Sequence, residues 1–415
     1  MYKKYLENEK ASTLLFWFVF ILYMLVYMTK TCFSAAMSSI VHEGIMTKSQ
    51  TGLISAMFYL VYAPFQIVGG KIADKYNPAK IITIGLLGSG LCNLIIYFNQ
   101  NYLLMLSVWS FNAIIQFGIW PSVFKIISSQ LASAHRKKAV YYMSFSSSFG
   151  LFCSYALAIF MSRWQNNFLF SATVSFFLAL CVIFLYPLFE KRMVDAPEEV
   201  KQEKIESSNE KHSIKSSTLF LKSGLYLMLP IIIFRTAIEQ GSKNLAPTML
   251  MESYDKISPA IGNSLSLIII IAGIIGIVLA QYITKYIKDE IKGHIYTFLA
   301  VVPFLLVITF VGRISSWFIV ISLGIVALTT SVTHLFVSYM TLAFAKYGKN
   351  GEAAGLINSA ASIGLVVQTY GLTFVADMWG WIAVSWLWVG VLAISLLLLL
   401  IIMPKWKRFK EEEHI

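Results

Sequence analysis

The sequence predicts an all-α polytopic membrane protein of twelve transmembrane helices, arranged as two pseudo-symmetric six-helix bundles. Three observations predict it. Hydrophobic residues make up 57% of the chain and charged residues only 13%, against about 25% charged in a soluble domain, and the mean hydropathy is +0.70. About a dozen apolar runs, each near the ~20 residues that a bilayer requires, are separated by short polar breaks. One hydrophilic stretch, EKRMVDAPEEVKQEKIESSNEKHSIKSS, leaves an equal number of runs on either side. Backbone groups in hydrocarbon need internal partners, so runs of this length must be helical.

In chain order the spans are placed at 12–40, 50–70, 79–98, 102–126, 139–160 and 167–189, then at 219–249, 258–283, 294–312, 316–343, 352–375 and 380–403. The first run follows Lys3, Lys4 and Lys10. Its apolar core is too long for a secretion signal and no small-residue cleavage site follows, so it reads as an uncleaved first helix. Residues 1–189 form the first bundle, 190–217 a flexible cytoplasmic linker whose charge density resists packing, and 218–415 the second bundle. Two halves of like length imply a duplicated architecture with a site near the midplane between them.

Lysine and arginine set the orientation. About 25 of the 33 fall in the segments that are cytoplasmic if the N-terminus is inside, while Lys48, Arg163, Lys256 and Arg313 fall on the other face. Both termini are therefore placed in the cytoplasm of a cell that carries this chain as a multi-pass plasma-membrane protein. The net charge of +12 follows from that topology and from attraction to anionic lipid. No separate basic domain supports a nucleic-acid partner. Cys32, Cys92, Cys153 and Cys181 all lie within spans with no CxxC pair, so no disulfide or metal site is implied. The chain has no HExxH, GxSxG or P-loop motif, which argues against an enzyme or an ATP-driven pump and calls for no cofactor.

Two cations stand out within the apolar runs: Lys30 in WFVFILYMLVYMTKTCFSAAMSSI and Arg235 in GLYLMLPIIIFRTAIEQ. A charge at bilayer depth costs about 2.5–3.5 kcal/mol on insertion scales, so such residues face a polar cavity and mark a substrate or ion path. Each lies roughly 16–18 residues into its span, ~25 Å along a helix rising ~1.5 Å per residue. Equivalent depth in equivalent helices makes them a facing pair, an anion clamp with one member from each half. Arg235, Glu239 and Lys243 are spaced i, i+4 and i+8 and share one helical face. Two roles stay open for Glu239: a fixed partner that orients Arg235, or a switch displaced by substrate or by a proton. Lys243 is read as a cation that Glu239 also compensates and that guides substrate inward. Lys125 is read as snorkelling or pairing with a loop, and His334 as an interhelical hydrogen bond. Tyr27, Tyr59, Tyr62, Trp120 and Asn358 supply aromatic and amide groups suited to lining an otherwise apolar cavity.

Between the second and third spans lies GGKIADKYNPAK, where Gly70 permits close helix approach and Asp74 with Lys75 suits a conformational latch. This segment resembles the loop signature of the major facilitator superfamily. Its Asn-Pro ending is similar to the organophosphate:phosphate antiporter branch, which includes the glycerol-3-phosphate and hexose-phosphate exchangers. YMTKTCFSAAMSSI, QFGIWPSVFKIIS and GEAAGLINSAASIGLVVQTYG resemble the first-, fourth- and eleventh-helix motifs of that branch. The resemblance implies the fold of that superfamily and a phosphoryl group held between a basic residue of the first helix, matched by Lys30 where arginine is usual, and one of the seventh, matched by Arg235. It also places Gln66 where the exchangers carry a second-helix lysine and Ser147 where they carry a fifth-helix histidine.

Taken together, these readings predict a secondary transporter, acting as a monomer, that moves a small organic anion by rocker-switch alternating access. A phosphorylated metabolite exchanged for inorganic phosphate leads. A proton-coupled carrier of a carboxylate or other polar metabolite is the first alternative, and a non-transporting membrane sensor on the same scaffold is the second.

Overall fold

The computed structural model describes residues 4–161, 163–195, 216–312, 314–344, 347 and 349–412. The first six spans are built from α1 (Glu9–His42), α2 (Lys48–Lys75), α3 (Pro78–Tyr97), α4 (Tyr102–Gln116), α5 (Ile119–Lys125), α6 (Ser133–Phe160) and α7 (Gln165–Glu190). The last six are built from α8 (Ser216–Ser223), α9 (Leu225–Asn244), α10 (Ala246–Ser253), α11 (Pro259–Tyr286), α12 (Glu290–Phe310), α13 (Ser316–Leu342), α14 (Asn350–Val366) and α15 (Leu372–Glu412). Every predicted span coincides with helix. By length and composition alone eight helices qualify to cross a membrane, nine with one bent pair, among the described residues. One of them, Glu352–Glu411, runs 60 residues, far too long for a single crossing of a ~30 Å core. Gly380, at φ 79°, breaks it where the prediction separates two spans.

Local chemistry explains the helix starts. Asn8 accepts from the N–H groups of Lys10 and Ala11 at 2.9 and 3.2 Å and so caps α1. Asn77 accepts from Ala79 N–H and Pro78 takes the first position of α3. The Asn-Pro pair of the loop signature is thus a helix start as well as a turn.

Three features depart from the prediction. The fourth span is two helices, because the chain breaks at Phe117–Gly118 before α5 and then loosens into a π turn over Ile126–Gln130. The seventh span is three, since α8 and α9 meet at 69°, the turn being made by Gly224 at φ 79°, and Leu245 divides α9 from α10. A two-residue antiparallel pairing also joins β1 (Lys4–Tyr5) to β2 (Val194–Asp195). Residues 196–215 of the expected linker lie outside the described residues.

The chain packs as two compact units, one of Met1–Met46 and Leu53–Ile205, the other of Thr47–Gly52 and Glu206–Ile415. In the first, α1 lies along α6 and α3 along α7, and Leu15, Val19, Leu22, Leu86, Val123, Met143 and Leu178 belong to one buried apolar cluster. In the second, α11 and α12 flank α13, and α9 lies along α14. A glycine sits where each cation-bearing helix meets its neighbour. A Cβ on Gly150 of α6 would stand 2.4 Å from the Met24 carbonyl oxygen and 2.8 Å from Tyr27 Cβ, and one on Gly364 of α14 would stand 2.6 Å from the Ile233 carbonyl oxygen and 2.8 Å from Thr236 Cβ. Only a residue without a side chain allows the backbones so close.

Candidate functional site

In the first unit α1 brings Lys30 against the second span. Its Nζ lies 3.9 Å from the Tyr62 ring centroid, 5.2 Å from Phe58, 5.5 Å from Tyr59 and 5.8 Å from Tyr27. Phe58 stacks on Tyr62 with 5.7 Å between centroids and 19° between planes, which fixes two walls of the cage. The residues of α2 at positions 58, 59 and 62 share a face because three- and four-residue steps return to the same side of a helix. Ring faces are negative, so each attracts an ammonium, and a desolvated contact is worth about 2 kcal/mol or more. Among the described residues no ion pair involves Lys30. The sequence explains why: between Glu9 and Glu190 the only acidic residues are Glu43 and Asp74, one just past the end of α1 and one in the last turn of α2.

Of the other residues expected in this half, Tyr27, Tyr59 and Tyr62 are in the cage. Trp120 packs instead on Tyr23, 4.6 Å between centroids, and Tyr23 lies 6.4 Å from Tyr27, so Trp120 reaches the cage through another ring. Ser147 is half-buried on α6, one turn before Gly150. Gln66, Gly70 and Asp74 fall on α2, with side chains outside the described residues. Lys75 is exposed. Lys125 donates to the Ala73 and Tyr76 carbonyl oxygens at 2.5 and 3.1 Å, a cation placed on the carboxyl end of α2, where the helix dipole favours it.

The second unit treats its cations differently. Arg235, Glu239 and Lys243 are 3%, 1% and 5% exposed, and form one ionic chain along α9. Glu239 Oε2 lies 3.3 Å from Arg235 Nη2, and Lys243 Nζ donates to Oε1 at 2.8 Å. Across from them α13 presents a polar stripe. Thr333 Oγ1 accepts from Arg235 Nη1 at 2.9 Å, Ser331 Oγ donates to Glu239 Oε1 at 3.3 Å, and His334 Nε2 stands 2.9 Å from Oε2 and 3.1 Å from Oε1. The His334 side chain is 49% exposed, so it joins an open space to a buried carboxylate. Lys243, expected as a second cation that Glu239 compensates, points its ammonium at that carboxylate inside the unit. The interhelical bond expected of His334 exists, and its partner makes it part of the site.

Nearby, Asn244 Nδ2 donates to Gln368 Oε1 at 3.3 Å, and Gln368 lies in a π turn, Val367–Gly371. Such turns recur at functional sites because they redirect side chains within a helix. Asn358 is exposed on α14 and is not among the residues that touch the ionic chain. Phe58, Ser331, Thr333 and His334 are the additions to the predicted set. For the last three the sequence signal is the run TTSVTH, polar within an apolar span.

A second charged cluster closes the other end of this unit. Lys48 Nζ lies 2.7 Å from Glu252 Oε2 and 3.5 Å from Asp377 Oδ1, the Ser49 N–H donates to Asp377 Oδ2 at 2.6 Å, and Trp381 Nε1 donates to Glu252 at 2.8 Å. Lys48, Glu252 and Trp381 border a cavity of about 580 Å³.

Comparison with known proteins accords with this fold. The family model described as Major Facilitator Superfamily matches residues 19–369. Among curated proteins, the chain is 33% identical over 94 residues, 23% of its length and 21% of the relative's, to "Membrane sensor protein UhpC" of Salmonella typhimurium. It is 28% identical over 122 residues, 29% of its length and 27% of the relative's, to "Probable hexose phosphate transport protein" of Chlamydia pneumoniae. The chain thus spans about a quarter of the length of the curated relatives it matches. Among solved structures, a D-xylose–proton symporter superposes with a TM-score of 0.73 at 13% identity, covering 94% of this chain and 97% of the other. A bacterial homologue of the human lysosomal transporter Spinster gives 0.72 at 12%, covering 97% and 98%. The chain belongs to the Major Facilitator Superfamily, whose members among these structures are transporters and not enzymes.

Proposed function

From that membership we propose that the chain is a secondary transporter in a plasma membrane, its termini cytoplasmic, that carries a small organic anion by alternating access and exchanges a phosphorylated metabolite for phosphate. The observation that carries this reading is the mismatch in charge compensation between the two cation sites. Lys30 sits in an aromatic cage with no carboxylate among the described residues, and the buried Arg235–Glu239–Lys243 chain keeps one positive charge in excess with His334 neutral. This reading assigns the two excess charges to one dianionic substrate, and a phosphate monoester carries about −1.5 to −2 at pH 7. Returning such a site empty through a dry barrier leaves both charges uncompensated, which favours obligatory exchange over net uptake. The name of one relative, a probable hexose phosphate transport protein, agrees with a phosphorylated ligand.

One observation favours a second reading. His334 connects open space to Glu239, so a proton on this pair can replace the second anion and drive a carboxylate or other polar metabolite. Counterflow in proteoliposomes separates the readings. Exchange predicts phosphate-loaded vesicles that accumulate labelled sugar phosphate, with Lys30→Gln and Arg235→Gln each lowering the rate about a hundredfold or more, as for loss of a charge-assisted contact. Uptake that follows an imposed pH gradient and loses that dependence in Glu239→Gln supports proton coupling instead. Saturable binding with no counterflow points to a sensor, and normal exchange by both cation variants sinks the clamp.

A further inference from the structure

Where the second unit begins, a group of cations lies outside everything described so far. The final helix carries Lys405, Lys407, Arg408 and Lys410. Two of these are paired: Lys410 Nζ lies 3.0 Å from Glu290 Oε2, and Lys407 Nζ lies 3.6 Å from Glu411 Oε1. Lys405 and Arg408 are exposed and form no ion pair among the described residues. They sit three residues apart, hence on one helical face.

A third cation joins them because of one backbone angle. Gly224, at φ 79°, turns α8 by 69° away from α9, and a Cβ there would stand 3.3 Å from Ile402 Cγ2 and 3.8 Å from Lys405 Cβ. The turn lays α8 against the last helix. Lys222, exposed and likewise without an ion pair among the described residues, then borders the same cavity as Lys405 and Arg408. That cavity measures about 500 Å³, and its remaining walls are Leu221, Pro404 and Phe409. Three cations and, among the described residues, no carboxylate line this cavity, and the cations repel one another unless an anion is present.

We propose that this cavity binds the headgroup of an anionic glycerophospholipid. The charge is complementary to a lipid phosphate, and the apolar walls, with Leu221 65% exposed, suit the glycerol and first acyl carbons that a free phosphate lacks. The position is right as well, since the cavity lies at the ends of membrane-crossing helices on the face that the lysine and arginine bias assigns to the cytoplasm, where basic pockets bind such headgroups. The transport reading is not needed for this site.

The test uses the full chain in nanodiscs of phosphatidylcholine alone or mixed with phosphatidylglycerol, read by native mass spectrometry of retained lipid and by thermal midpoint. The Lys222→Gln/Lys405→Gln/Arg408→Gln variant is expected to lose on the order of a hundredfold in preference for phosphatidylglycerol, about fivefold per cation, together with the rise in midpoint that this lipid gives the wild type. The paired residue supplies the control: Lys407→Gln retains both. A Lys405→Arg/Lys222→Arg variant keeps the charges and retains both too, which separates charge loss from misfolding. Equal retention by the triple glutamine variant, equal loss by Lys407→Gln, or the same midpoint rise from inorganic phosphate in phosphatidylcholine would each overturn the proposal.

Discussion

Lys30 and Arg235 solve the same problem by opposite means. Both are cations that a helix carries into an apolar layer, where an isolated charge is costly. Lys30 is surrounded by π faces, which attract the ammonium without cancelling it. Arg235 is held by a carboxylate on its own helix, shared with Lys243, and by the Thr333 hydroxyl on α13. The difference teaches that one cation has no carboxylate among the described residues, while the other shares a single carboxylate with Lys243.

The largest effect that can break this comparison is on stability. Replacing Glu239 by Gln leaves Arg235 and Lys243 buried without their common anion, and a broken buried pair costs about 3–5 kcal/mol. Chemical denaturation in micelles should show that loss for Glu239→Gln and a change within ~1 kcal/mol for Lys30→Met, because removing an unpaired cation strands no partner. Equal losses in the two variants would mean that the sites do not differ in kind.

A smaller effect sharpens the aromatic side. A double-mutant cycle over Lys30→Met and Tyr62→Leu is expected to give a coupling of about 1–2 kcal/mol, whereas the cycle with Tyr62→Phe gives nearly none, since the ring face and not the hydroxyl carries the attraction. Coupling that survives in neither cycle refutes the cage. The smallest expected effect lies at Lys48, whose pair with Glu252 is partly open to water. Lys48→Gln should lower the unfolding free energy by no more than the ~1 kcal/mol of a surface pair. A loss comparable to that of Glu239→Gln would place this cluster with the buried ones.

Much of this was legible from the residues, and the limits have physical causes. Lys30, Arg235, Glu239 and Lys243 could be found because a charge contrasts with an apolar run, and because spacing along a single helix fixes their shared face. The caps at Asn8 and Asn77 emerged only with the backbone, since an asparagine before a helix serves a turn as readily as a cap. Phe58 was missed because one phenylalanine among many becomes a cage wall only when α2 takes a particular rotation against α1. His334 was noticed as polar but not as part of the site, since its carboxylate partner is 95 residues away. The breaks at Gly224 and Leu245 were missed because a window the length of a span averages over the short polar steps Lys222–Gly224 and Gly241–Asn244 that precede them.

The glycines beneath the cations carry a further consequence. Gly150 and Gly364 set the spacing between each cation-bearing helix and its neighbour by direct backbone contact, with no side chain in between. Packed side chains can adjust to one another, but two backbones in contact leave little tolerance. The surroundings of each cation are therefore calibrated at residues that have no side chain of their own. A single added methyl at either position would move a whole helix, and with it the cation, while every residue that touches the cation stayed the same.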